Sequence, residues 1–225
     1  MSGLDIKQAL LDEFGSPSEF YASFMTYVDF SKTSLYICAA SILFNPTFWN
    51  IVARLEYNTH FLTKLAGGAK KGCYALAVTI FSLGILRDFL YEQALRDQPY
   101  CARLDIPPTK MLAAVLFGYG NILVLSSMYA LGVTGTYLGD YFGILMDDRV
   151  TGFPFNITDN PMYYGSFLSF LGTALWFSKP AGILLSLVVL VMYLIALRFE
   201  EPFTAEIYAK RERERAAAAD GKKSK

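Results

Sequence analysis

Histidine occurs once, at His60, in 225 residues. A histidine-based metal centre or a Ser-His-Asp triad is therefore poorly supported, and no metal is expected. Cysteine occurs three times, at Cys38, Cys73 and Cys101, never with C-x-x-C spacing. An odd, scattered set reads as reduced packing residues and not as a disulfide framework. Charge is also scarce, at 18%, against about 25% in soluble domains. Twenty basic and twenty acidic residues cancel, so no net field attracts nucleic acid and no such partner is expected. The first residues carry carboxylates without an early apolar core, so no cleavable signal peptide is expected. There are no internal repeats, and low complexity is confined to the last residues.

Apolar sequence is what abounds: 54% of residues are hydrophobic and 16% aromatic. Apolar runs cover Leu35–Val52, Gly72–Leu90, Met111–Leu131 and Ala181–Leu197, with a shorter one at Tyr164–Phe177. At about 1.5 Å per residue, the longer runs suffice to cross a bilayer. The expected fold class is all-α: a polytopic transmembrane helical bundle with about four to five membrane helices. Asn45-Pro46 interrupts the first run, which is either a kinked span or a re-entrant segment. Arg87, near the end of the second run, is expected to snorkel to the interface. Met1–Phe14 and Ser18–Phe30 show apolar and aromatic positions at helical spacing, the pattern of interfacial helices. The chain divides into an N-terminal interfacial segment (1–32), a membrane domain (33–203) and a basic tail (204–225) that starts as a charged helix.

The stretch Gly132–Gly165 is the densest run of turn-formers, aromatics and carboxylates. Loops of this length are uncommon unless functional or disordered, and the aromatic content argues against disorder. Glu200 and Glu201 directly follow the last apolar run. Two carboxylates near a C-terminal helix end oppose the macrodipole, which suggests a cationic partner. Loop and acids are expected to form one pocket at the membrane surface. The loop aromatics Tyr137, Tyr141, Phe142, Phe153, Phe155, Tyr163 and Tyr164 are either an interfacial belt or a cage for an amine or sulfonium. Asp140, Asp147 and Asp148 can be plain turn residues, and Arg149 suits a bidentate contact with a lipid phosphate. Gly118-Tyr119-Gly120 either allows close helix packing or brings backbone near a ligand. It follows no strand, so a dinucleotide-binding reading fails.

Basic residues set orientation. The connector 54–71 has four, 92–110 three, 133–163 one, and the chain from Arg198 eight. A cytosolic C-terminus follows. If 164–177 and 181–197 form a hairpin, Asn160-Pro161 and Glu200-Glu201 emerge together on the cytosolic face. In the rival reading, 164–177 lies on the lumenal interface. The final Lys222-Lys223-Ser224-Lys225 resembles a dilysine retrieval signal of endoplasmic reticulum membrane proteins; a solvated basic tail is the alternative.

Longer motifs carry a resemblance. Thr151-Gly-Phe-Pro-Phe-Asn, Asn160-Pro-Met-Tyr-Tyr-Gly, an apolar hairpin and Glu200-Glu201 resemble the closing motif of the isoprenylcysteine carboxyl methyltransferase and phospholipid methyltransferase superfamily. Phe44-Asn-Pro-Thr-Phe-Trp-Asn-Ile-Val-Ala-Arg, Thr136-Tyr-Leu-Gly-Asp-Tyr-Phe-Gly-Ile-Leu and Glu200-Glu-Pro-Phe-Thr-Ala-Glu-Ile-Tyr are similar to its phospholipid N-methyltransferase branch. The similarity spans about residues 33–210. It implies S-adenosylmethionine as methyl donor and a phospholipid substrate, methylated from phosphatidyl-N-methylethanolamine to phosphatidylcholine. It also implies the endoplasmic reticulum membrane, with a mitochondrial membrane as a further location. The family's donor-binding segments fall on Gly118, Tyr119 and Gly120 and on Glu200 and Glu201, and the closing motif adds Asn160 and Pro161. Tyr141 and Tyr163 would line the methyl path, and Asp140 is a candidate carboxylate for the departing proton. One departure stands out: the superfamily's Arg-His before Pro-x-Tyr is Asp159-Asn160 here. That disfavours a carboxyl-methylating enzyme and removes a histidine base.

Overall fold

A computed structural model describes residues 24–223, with side chains from 24 to 217. The expected helix Met1–Phe14 and the final four-residue signal lie outside the described backbone or side chains. The helix expected over Ser18–Phe30 is described only from Phe24, and it ends at Met25, where turns take over. Six α-helices follow: α1 (Thr33–Thr59), α2 (Phe61–Ala66), α3 (Ala69–Asp97), α4 (Pro107–Thr136), α5 (Pro161–Trp176) and α6 (Pro180–Lys223). Among the described residues four segments are long and apolar enough to cross a membrane, based on α1, α3, α4 and α6. The 16-residue α5 is roughly 24 Å long, short of a full span. The bundle is all-α, as the apolar runs imply.

Proline interrupts two helices without ending them. Pro46 lies inside α1 and Pro202 inside α6. Each removes one N–H from the ladder, yet neither helix folds back, so the re-entrant reading of Asn45-Pro46 does not hold. Asn45 uses its amide to reach the Leu83 carbonyl on α3, at 3.1 Å.

The helices pack antiparallel in sequence order. α4 and α5 meet along a seam of glycines. A Cβ on Gly120 would lie 2.5 Å from the Gly165 carbonyl oxygen, and one on Gly172 would lie 2.7 Å from the Phe117 nitrogen. Only glycine lets the backbones approach this closely. α6 lies against α1 and α5. Leu35, Cys38 and Ile42 pack there with Leu185, Val189 and Tyr193.

Hydrogen bonds fix which termini share an end. At one end, Gln98 brackets the Asp29 backbone (2.8 and 3.0 Å) and Lys179 caps the Gln98 carbonyl at 2.7 Å. At the other, Arg54 donates to the Phe199 carbonyl at 2.7 Å, and Asn160 donates to Glu201 at 2.7 Å. Loop 137–160 and the paired glutamates therefore emerge together, as the hairpin requires.

Two charged side chains are largely buried in the bundle. Arg87 does not extend freely to the interface: its side chain is 12% exposed and pairs with the exposed Asp88 at 2.9 Å, donates to the Tyr193 hydroxyl at 2.5 Å and lies over the Phe170 ring. A cation buried in a membrane bundle turns to partners inside it when they are within reach. Glu56 is fully buried because its carboxylate accepts the N-terminal amides of α2, the Leu62 N–H at 2.6 Å. The loop itself is less irregular than expected. α4 runs on to Thr136 through a non-helical Gly132, and a short 3-10 turn spans Gly139–Phe142. All three cysteines are free and buried.

Candidate active site

Every long helix contributes to the site. A cavity of about 370 Å³ lies between Trp49 of α1, Ile80 of α3, Leu131, Gly135 and Thr136 of α4, Pro161, Met162, Tyr163 and Ser166 of α5, and Tyr193, Glu200, Thr204 and Tyr208 of α6. Loop residues Tyr137, Leu138, Asp140, Met146, Phe155, Asp159 and Asn160 complete it. Its size suits a small ligand.

Glu200 is the best-held carboxylate in the wall. Its Oε1 accepts the Trp49 indole N–H and the Asn50 amide, both at 2.7 Å. Its Oε2 accepts the Tyr163 hydroxyl in a short bond. All three donors are neutral, so they orient the charge without cancelling it. Tyr163 is steadied in turn by an edge-on contact with Tyr193, 4.9 Å between centroids. Asn50 is fixed from the other side by the Pro46 carbonyl, at 3.0 Å.

A second group stands further along α6. Thr204 donates to Asp140 at 2.9 Å. One turn on, the Tyr208 hydroxyl accepts the Met146 N–H at 3.2 Å, and Arg211 donates to the Met146 carbonyl at 2.7 Å. Thus α6 clasps the loop that closes the cavity. Thr136 lines the same space with a buried hydroxyl oxygen that has no hydrogen-bond partner.

The electrostatics are one-sided. Asp140, Asp159 and Glu200 line the cavity together with Trp49, Tyr137, Phe155, Tyr163, Tyr193 and Tyr208. Among the described residues no lysine, arginine or histidine lines it. Carboxylates and ring faces in a partly dry wall favour a cation.

The sequence-derived candidates separate clearly. Asp140, Asn160, Pro161, Tyr163 and Glu200 line the cavity, and Glu201 adjoins it through Asn160. Tyr141 sits behind the wall, 1% exposed and stacked on Phe203, its hydroxyl without a partner. Gly118, Tyr119 and Gly120 are away from the lining: Gly120 is spent on the α5 seam, nothing lies within 4 Å of a Cβ on Gly118, and Tyr119 is 41% exposed. Arg149 pairs with Asp159 at 2.8 Å on the exposed loop. Of the loop aromatics, Tyr137, Phe155 and Tyr163 face the cavity, whereas Phe153 and Tyr164 are exposed.

Trp49, Asn50, Thr136, Tyr193, Thr204 and Tyr208 were not singled out from sequence as site residues. Trp49 and Asn50 carried a usable signal, since hydrogen-bonding side chains inside an apolar helix need partners within the bundle.

Fold and site together define a polytopic helical membrane protein with a pocket lined by carboxylates and aromatic rings. The chain belongs to the phospholipid methyltransferase family, whose model matches residues 108–211. It is 64% identical over 198 residues to the phosphatidyl-N-methylethanolamine N-methyltransferase of Emericella nidulans, covering 88% of this chain and 96% of that one. It is 62% identical over 186 residues to the enzyme of that name from Saccharomyces cerevisiae (83% and 90% covered). It is 50% identical over 182 residues to the phosphatidylethanolamine N-methyltransferase of Homo sapiens (81% and 92% covered). No solved structure matches the chain.

Proposed function

We propose that the protein methylates phosphatidyl-N-methylethanolamine and its dimethyl product to phosphatidylcholine, with S-adenosylmethionine as donor. The single observation that carries this reading is Glu200: an uncancelled carboxylate held by three neutral donors in an aromatic cavity. The names of the relatives favour phospholipid amines over an isoprenylcysteine carboxylate or a non-catalytic scaffold.

The donor, when bound, supplies an electrophilic methyl group on a sulfonium. The residues present fit it: Glu200 and Asp140 suit its cationic groups, and the partnerless Thr136 hydroxyl suits one of its hydroxyls. Trp49 and Tyr163 present ring faces to positive charge. The acceptor amine must be neutral to react. Asp140 in the cavity wall is the candidate to take its proton. Holding both partners in one geometry supplies up to roughly 7–11 kcal/mol in ideal cases. Tyr141 backs this wall instead of lining the path.

Arg54, the α2 connector and the tail lie at the end of the bundle that carries Glu200. Positive charge marks that end as cytosolic, in the endoplasmic reticulum membrane, with a mitochondrial membrane as a further location.

Purified protein in lipid nanodiscs, given labelled donor and phosphatidyl-N-methylethanolamine, should yield di- and trimethylated lipid. Absence of both products would remove the proposal. Running phosphatidylethanolamine alongside determines whether the unmethylated lipid is also accepted. A single cysteine at exposed Asp148, in sealed microsomes, should react with an impermeant maleimide; protection would place the site on the lumenal side.

A further inference from the structure

A second cavity, of about 290 Å³, runs along the outside of the bundle between α1 and α6. Pro46, Ile51 and Arg54 form one wall, and Met192, Ile195 and Phe199 the other. It is separate from the reaction cavity. Ile51, Ile195 and Phe199 are 60%, 45% and 57% exposed, so the groove opens toward the bilayer. From Pro46 to Arg54 it follows α1 for roughly 12 Å.

Apolar walls alone would hold nothing here, because a lipid tail is as well solvated by other tails as by isoleucine. What distinguishes this groove is its head. Arg54 sits at the surface end of α1. Its Nη2 is on the Phe199 carbonyl at 2.7 Å, and its guanidinium lies 4.6 Å from the Phe203 ring centroid. Among the described residues it forms no ion pair. A guanidinium has five N–H donors, and most of these have no carboxylate to meet. A basic side chain between membrane helices, at the surface end of an apolar groove, matches the phosphodiester and chain of one lipid.

We propose that this groove retains one glycerophospholipid, its phosphate on Arg54 and one acyl chain between Ile51 and Ile195. This lipid is not the methyl acceptor. Asn50 links the two sites: it lines the groove and its amide donates to Glu200, which lines the reaction cavity.

Native mass spectrometry of the full chain, purified in mild detergent and supplied with phosphatidylglycerol, counts the retained lipid. The expected result is one retained molecule per chain, and none with diacylglycerol, which has the chains without the phosphate. Arg54→Gln should lower retention roughly tenfold, the loss of one charged contact. Ile195→Trp, on the exposed wall, should do so by filling the groove. S-adenosylhomocysteine titration reports folding of both variants and is expected to be unchanged. If Arg54→Gln is misfolded, Ile195→Trp decides. Absence of a retained lipid on the wild type, equal retention of diacylglycerol, or full retention by folded Ile195→Trp would each overturn the proposal. Because the readout is lipid count and not turnover, failure here leaves the methyl-transfer reading untouched.

Discussion

Two segments of this chain share one expected duty and lie in different surroundings. Gly118-Tyr119-Gly120 and Glu200-Glu201 both correspond to donor-binding segments by resemblance. Glu200 faces the cavity and is oriented by Trp49, Asn50 and Tyr163. Gly120 faces α5, where a Cβ would meet the Gly165 carbonyl oxygen at 2.5 Å. A glycine in a membrane helix and a carboxylate at its mouth obey different constraints. The first answers to the neighbouring backbone; the second answers to uncancelled charge. Loss of activity on substitution would look alike at both, so only separate measurements of folding and ligand affinity tell them apart.

The sharpest break between the two is Glu200→Gln. Shape is kept and charge is lost, so donor-analogue affinity should fall by about 2–3 kcal/mol, roughly 30- to 150-fold, with the thermal midpoint nearly constant. Unchanged affinity by calorimetric titration would take Glu200 out of the site. Gly120→Ala is next. It forces the α4–α5 seam apart and should cost about 2 kcal/mol of stability, read as a lower thermal midpoint, while the folded fraction binds donor normally. Normal melting with lost binding would instead put that glycine on the ligand. Trp49→Phe keeps a ring but removes one N–H from Glu200. Affinity should drop about fivefold, near 1 kcal/mol, and a larger drop in turnover than in affinity would show that the indole positions the carboxylate for reaction. Gly118→Ala should change neither property by more than about 0.5 kcal/mol, since open space surrounds it. A strong effect there would restore the whole segment to the site.

Much of this architecture was legible because membrane spans announce themselves by length. The clustering of Asn160 with Glu201 follows if 164–177 and 181–197 pair as a hairpin, one of the two readings the sequence leaves open. What escaped was contact across large sequence separation. Trp49 and Asn50 reach Glu200 from 151 and 150 residues away, and no periodicity in α1 encodes that distance. Thr204, Tyr208 and Arg211 lie past the expected boundary at 203, because composition there turns polar while the helix continues unbroken. Arg87 was misplaced for a related reason: charge near a span end suggests water, and only the fold supplies Tyr193 and Phe170 as alternatives.

Both prolines flank the reaction centre. Pro46 precedes Trp49 and Asn50 by one turn, and Pro202 stands between Glu200 and Thr204. Without their N–H groups, the carbonyls of Ile42 and Arg198 lose their in-helix donors. The helix that carries Glu200 and the one that supplies two of its three donors are thus jointed beside it, and bending at these joints would let the pocket widen and tighten around successively bulkier methylated headgroups while the glycine-locked pair stays still.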